Sequence, residues 1–129
     1  MYQLSQREAT YIKAIKRLGG SRVRLRALAR ELGVSAPSAL EEVRHLEKKG
    51  LLKNKRGFIT LTEKGLEAVE TLRRTHIAFE TLLSSYGVLP KEACVSAHEF
   101  DFAIPKSVAD RVFKAMGNPS ICPEGREEC

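Results

Sequence analysis

Six side chains in the second half of this 129-residue chain are of the types that hold a metal ion: His76, Glu80, Cys94, His98, Glu99 and Asp101. His76 and Glu80 stand four residues apart, and Cys94 and His98 repeat that spacing. Residues four apart stack on one helix face, so two such pairs meeting across a helical hairpin can enclose one ion. Asp101 is expected one further turn along the face of the second pair. Two imidazoles, a thiolate and a carboxylate suit Zn²⁺ and can also hold Fe²⁺ or Co²⁺. Read without a metal, each is a helical side chain satisfied by its own neighbours. Cys122, in the tail, can add a thiolate or stand as an inert or redox-active thiol.

For these pairs to meet, the second half has to be helical. Thr62 caps a long helix expected from about Glu63 to Tyr86, with Leu66, Val69, Leu72, Phe79, Leu82 and Leu83 on its apolar side. Gly87 breaks it. Leu89-Pro90 leads into a helix from roughly Lys91 to Phe102, and Ile104-Pro105 starts a last one, about Lys106 to Met116. The tail from Ser120 reads as irregular.

The first half has a different layout. Ser5 with Glu8 three residues later is a capping box that opens a helix stopped by Gly19-Gly20. Arg22 to Leu25 alternates basic and apolar, as a short strand does. Arg26 to Leu32 forms a helix with Leu25, Leu28, Ala29 and Leu32 facing inward, and Gly33 allows a sharp turn. Ser35 is a natural N-cap for the next helix, Pro37 suits its first turn, and Gly50 ends it. Leu51 to Lys53 and Phe58 to Leu61 then pair across an Asn54-Lys55-Arg56-Gly57 turn. The fold class expected is mainly α with a small β-hairpin wing: a winged helix-turn-helix domain over 1–65, then a helical dimerisation domain over 66–129.

Charge divides along the same line. Residues 1–65 hold 15 Lys and Arg against 6 Asp and Glu, while residues 66–129 hold 7 against 10; the whole chain is +6. One half is suited to a polyanion and the other is not. A helix N-terminus can enter the major groove of duplex DNA, which displays a distinct donor and acceptor code. Ser35, Ala36, Pro37, Ser38 and Glu41 form the leading face: hydroxyls for phosphates or bases, Ala36 and Pro37 for thymine methyls, Glu41 for cytosine N4. Arg22, Arg24, Arg26, Arg44, Lys53, Lys55 and Arg56 would clamp phosphates. Few bidentate readers are present, so DNA shape is expected to matter.

No apolar run approaches the ~20 residues of a membrane span, and three cysteines in the last third do not make a secreted disulfide framework. The expected location is the cytoplasm. No nucleophile–base pair is spaced for catalysis, so an enzyme, such as a metal hydrolase using His76, His98 and Asp101, is not expected, nor is a small organic substrate.

The stretches LSQREATYIKAIKRL, ARELGVSAPSALEEVRHLEKKGLL, FITLTEKG, RRTHIAFETLLSSYGV and MGNPSICPEG together resemble the diphtheria toxin repressor and manganese transport regulator family of metal-dependent transcription factors. The likeness covers nearly the whole chain and is to a short, two-domain form. It implies a winged DNA-binding half, a dimerising and metal-sensing half, and a metal-loaded homodimer repressor on palindromic operators. The family's ligand positions fall on His76 and Glu80, and, counted without gaps, on Cys94, His98 and Asp101. An alignment with a one-turn gap places Cys94 and His98 differently. Three further ligand positions fall on Thr10, Lys13 and Phe102, which departs from a manganese site and favours Zn²⁺ or Fe²⁺ over Mn²⁺. Dimerisation would use Phe100, Phe102, Val108, Val112 and Phe113, residues that can equally be intrachain core. The alternative is a metal-independent, thiol-responsive regulator sensing oxidation through Cys94, Cys122 and Cys129.

Overall fold

The computed structural model describes residues 4–125. It divides into two compact units: Arg7–Val69, and the described chain from Glu70 onward together with residues 4–6. The chain is mainly helical with one small antiparallel sheet.

In the first unit the elements run α1 (Gln6–Arg17), β1 (Val23–Arg24), α2 (Leu25–Leu32), α3 (Ala36–Lys48), β2 (Leu52–Lys55) and β3 (Phe58–Leu61). Ile12, Ile15, Leu28, Val43, Leu46, Leu52 and Ile59 form its fully buried core. Gly33, at φ 66°, turns the chain between α2 and α3, and Ser35 caps α3 by accepting a bond from the Ser38 N–H at 3.2 Å. Glu8 is buried on α1, and its carboxylate meets Lys49 and His45 (3.3 Å) at the end of α3. A buried acid needs such company, since stripping its water is costly.

The sheet differs from the two-stranded hairpin expected. Its order is β1-β3-β2, with Val23 opposite Ile59, Lys53 opposite Thr60 and Lys55 opposite Phe58. Strand β2 continues through Lys55, so the turn shrinks from four residues to two, Arg56 and Gly57, both at positive φ (54° and 84°). Asn54 belongs to the strand. Its side chain braces the turn by accepting from the Gly57 N–H at 3.0 Å, and its own N–H donates to Glu47. Positive φ at both central residues matches the twist of the flanking strands. A side chain as bulky as Arg56 is strained there.

Helix α4 (Glu63–Ser85) runs from the first unit into the second. At its start the Thr62 hydroxyl accepts from the Gly65 N–H (3.1 Å) and donates to the Gly50 carbonyl (2.6 Å). A methyl on Gly65 would collide with the Leu51 carbonyl, so this turn requires glycine for closeness rather than for backbone freedom. Leu66 does not join the apolar side as expected; it is 47% exposed.

The second unit continues with α5 (Pro90–His98), a 3-10 turn at Asp101–Ala103 and α6 (Lys106–Ala115). Helix α5 stops four residues short of the expected Phe102. Phe100 leaves the helical path at φ −136° and packs edge-on against Phe79, with ring centroids 5.4 Å apart. Asp101 is thereby carried off the helix. Phe113 also turns inward, with the Arg74 guanidinium 4.7 Å over its ring. Of the five apolar residues expected at a dimer contact, Phe100 and Phe113 thus pack within the chain, Phe102 and Val112 are half-buried, and Val108 is exposed. Among the described residues, no helix is long and apolar enough to cross a membrane.

Candidate metal centre and basic surface

His76 stands on α4 with both ring nitrogens engaged. Nδ1 lies 3.0 Å from Asp101 Oδ2, and Nε2 lies 2.9 Å from Glu80 Oε1 and 3.7 Å from Cys94 Sγ. His98 completes the group: its ring centroid is 4.1 Å from that of His76, and its Nδ1 is 3.9 Å from Asp101 Oδ2. One ligand atom from each of His76, Cys94 and His98 falls within 4.8 Å of the others. Both expected i, i+4 pairs therefore converge.

Burial is uneven around the group. His76, Glu80 and Asp101 are at most 3% exposed, whereas Cys94 and His98 are half-buried on the outer side. Burial acts to lower the His76 pKa, but contacts with Asp101, Glu80 and Cys94 outweigh it and raise the pKa to about 9. Glu80 is fully buried, and its Oε2 has no hydrogen-bond partner among the described residues. A buried carboxylate oxygen left in that condition is costly. A cation beside it removes the cost, so the donor set fits a divalent ion of borderline softness.

Asp101 occupies a different place from the one expected. It sits on the 3-10 turn and touches His76 at the nitrogen away from Glu80 and Cys94. That is the position of a carboxylate that fixes the tautomer of a ligating histidine. Glu99, also of a ligand type, is exposed. A residue that spacing did not find is Glu124, exposed like Glu99 but with its carboxylate within 4.8 Å of ligand atoms of Glu80 and Cys94. The CPEG run was a usable signal, because proline and glycine so placed mark a turn. Cys122 is buried at 2% exposure, and Cys129 lies outside the described residues.

The first unit gathers its charge on the outside. Because Phe58 and Thr60 face away from the core, the partners of β3 expose Arg24, Lys53 and Lys55 on the same sheet face. Arg22 and Arg24 lie over the Phe58 ring at 5.7 and 5.3 Å from its centroid. Arg22, Lys53, Lys55, Phe58 and Thr60 line a groove of about 550 Å³. Arg26 on α2, Arg56 at the turn, and Ala36, Pro37, Ser38, Glu41 and Arg44 on α3 are all exposed. The Ser35 hydroxyl is exposed too, but it is committed to the cap, donating to Ser38 Oγ at 2.9 Å.

Residues 62–129 match the family described as iron dependent repressor, metal binding and dimerisation domain. A hypothetical protein, SSo2273 from Sulfolobus solfataricus, is 35% identical over 98% of this chain and 99% of its own, with a TM-score of 0.82. A manganese-dependent transcriptional repressor solved in complex with manganese is 28% identical over 89% of this chain, with a TM-score of 0.72. ScaR with bound Zn²⁺, 24% identical over 95% of this chain, shares the fold at a TM-score of 0.77. This chain spans 55% and 58% of the lengths of those last two proteins. A search of curated protein sequences gives no match. On the family match, which covers more than half of the chain, the chain belongs to the iron-dependent repressor family, whose metal-binding and dimerisation domain its second half carries.

Proposed function

We propose that this protein is a metal-responsive transcriptional repressor that binds duplex DNA as a homodimer and holds a divalent transition metal in its second unit. The observation that carries the reading is the fully buried Glu80 carboxylate beside His76 and Cys94, with its Oε2 unsatisfied among the described residues. His76, Glu80, Cys94 and His98 would hold the ion, and Asp101 would orient His76. When bound, the ion would supply positive charge in place of the proton that His76 otherwise carries between Glu80 and Asp101. Zinc or iron(II) suits a site with a thiolate and imidazoles better than manganese, which prefers oxygen.

Residues 1–65 are read as a winged helix-turn-helix domain. The α2–α3 pair presents the N-terminus of α3 for the major groove, and the β2–β3 hairpin is the wing. Exposure of Ala36, Pro37, Ser38, Glu41 and Arg44 supports α3 as the reading helix, and Arg22, Arg24, Arg26, Lys53, Lys55 and Arg56 are the phosphate contacts. A C2 dimer would place two such heads on palindromic half-sites, with residues 66–129 as the pairing domain. The protein acts by binding rather than by catalysis, in the cytoplasm, and takes no small organic substrate.

The family's ligand positions on the first helix fall on Thr10 and Lys13, so coupling between metal and DNA has to use other groups in this chain. Burial of Cys122 argues against that residue as a thiol sensor, since reactive thiols need access, while Cys94, half-buried beside His76, suits either reading. Selection of bound genomic DNA fragments, with and without chelator, tests the proposal. A palindromic site enriched more strongly with metal supports it. Enrichment unchanged by chelator leaves a metal-independent regulator, and no enrichment at all refutes DNA binding.

A further inference from the structure

After α6 the chain returns to the metal centre. The Ser120 carbonyl accepts a hydrogen bond from Arg73 Nη1 at 3.4 Å, and Cys122 is buried at 2% exposure. These two holds fix a β-turn, Cys122-Pro123-Glu124-Gly125, closed by the Gly125 N–H donating to the Cys122 carbonyl at 2.8 Å. Proline at the second position and glycine at the fourth suit such a turn. Its third residue is Glu124.

The turn brings the carboxylate of Glu124, a solvent-exposed residue, up to the outer side of the group that contains Glu80 and Cys94, each offering a ligand atom within 4.8 Å of the others. Two carboxylates and a thiol are all groups that donate to a divalent transition metal. Glu80 adds an independent sign, since it is fully buried and its Oε2 meets no hydrogen-bond donor among the described residues. A divalent cation held between these donors answers that unmet need.

We propose that Glu124 is a metal ligand carried on the C-terminal turn, adding a carboxylate from outside the helices to the donors on α4 and α5. This rests on the reading of His76, Glu80 and Cys94 as a metal centre. Cys122 is the apolar anchor of the turn, buried among its neighbours rather than at the ion.

Zinc affinity of the full chain, measured by competition with a chromophoric chelator, tests the assignment. Glu124→Gln is expected to weaken binding by more than about tenfold, the lower scale on which even outer partners of a metal act. Glu124→His, which restores a donor, is expected to stay within about threefold of the parent, inside the context-dependence of such effects. Glu92→Gln, an exposed acid on α5, serves as the control and is expected to change nothing. Equal affinity of Glu124→Gln and the parent overturns the tail ligand alone and leaves the helical site standing. Failure of the parent to bind zinc overturns both. If Glu124→Gln lowers the unfolding temperature of the chelated protein as Glu124→His does not, while zinc affinity holds, the side chain is structural and the proposal falls.

Discussion

The two units handle charge in opposite ways. In the first, Arg22, Arg24, Lys53, Lys55 and Arg56 are all exposed, spread over a sheet face and a turn. In the second, His76, Glu80 and Asp101 are withdrawn from water. Surface charges are screened and individually weak, so a set of them serves a large partner that touches many at once. Buried charges are expensive to maintain unless a counter-charge fits among them, so a set of them serves a small, dehydrated partner. The placement of charge, more than its amount, separates the exposed basic face from the buried group around His76.

The largest effect that would break this contrast lies at Glu80. Glu80→Ala is expected to lower zinc affinity by more than about 100-fold, beyond the range for outer partners. Isothermal titration of the chelated protein checks it, and a loss below tenfold removes Glu80 from the site. Next is Gly65→Ala, which forces a methyl into the Leu51 carbonyl and is expected to cost about 1–3 kcal/mol. Thermal unfolding of the chelated variant reads this, and an unshifted midpoint would show that the start of α4 yields easily. On the basic side, Lys55→Ala with Arg56→Ala should weaken binding to every duplex sequence. It should also flatten the log–log salt dependence by about two units, one per lost phosphate contact. An unchanged slope would remove the hairpin from the interface.

Much of this was legible in the sequence because it depends on local spacing. The pairs His76/Glu80 and Cys94/His98 sit four apart, and four apart on a helix means one face. Ser35 and Gly33 announced the ends of α3 and α2 through their side-chain chemistry alone. What escaped depends on distant contacts. Asp101 leaves the line of α5 where Phe100 packs on Phe79, and no local pattern records that partner. Glu124 lies 44 positions beyond Glu80 and reaches it through a fold-back anchored by Arg73 and Cys122. Asn54 read as a turn residue because its chemistry suits turns; pairing with Ile59 drew it into the strand. Leu66 followed the apolar period of its helix yet faces outward, since periodicity marks a face without saying what covers it.

The smallest effect is in protons. Without metal the His76 pKa is about 9, above the ordinary 6.5. The stabilisation from protonated His76 is then fully present below about 6.5 and lost as pH rises through about 9. A metal needs the neutral ring, so zinc loading at pH 7 should release about one proton from this residue. Calorimetry in buffers of different ionisation enthalpy counts it, and a release that persists in His76→Gln would come from elsewhere.

Cobalt(II) titration of the chelated full chain, followed by its thiolate charge-transfer absorption, asks whether the buried group is a cation site at all. One ion per chain should bind, with the band abolished by Cys94→Ser and retained in Cys122→Ser. No band in the parent protein, or a band that vanishes with Cys122→Ser and survives Cys94→Ser, would contradict the site built on His76, Glu80 and Cys94.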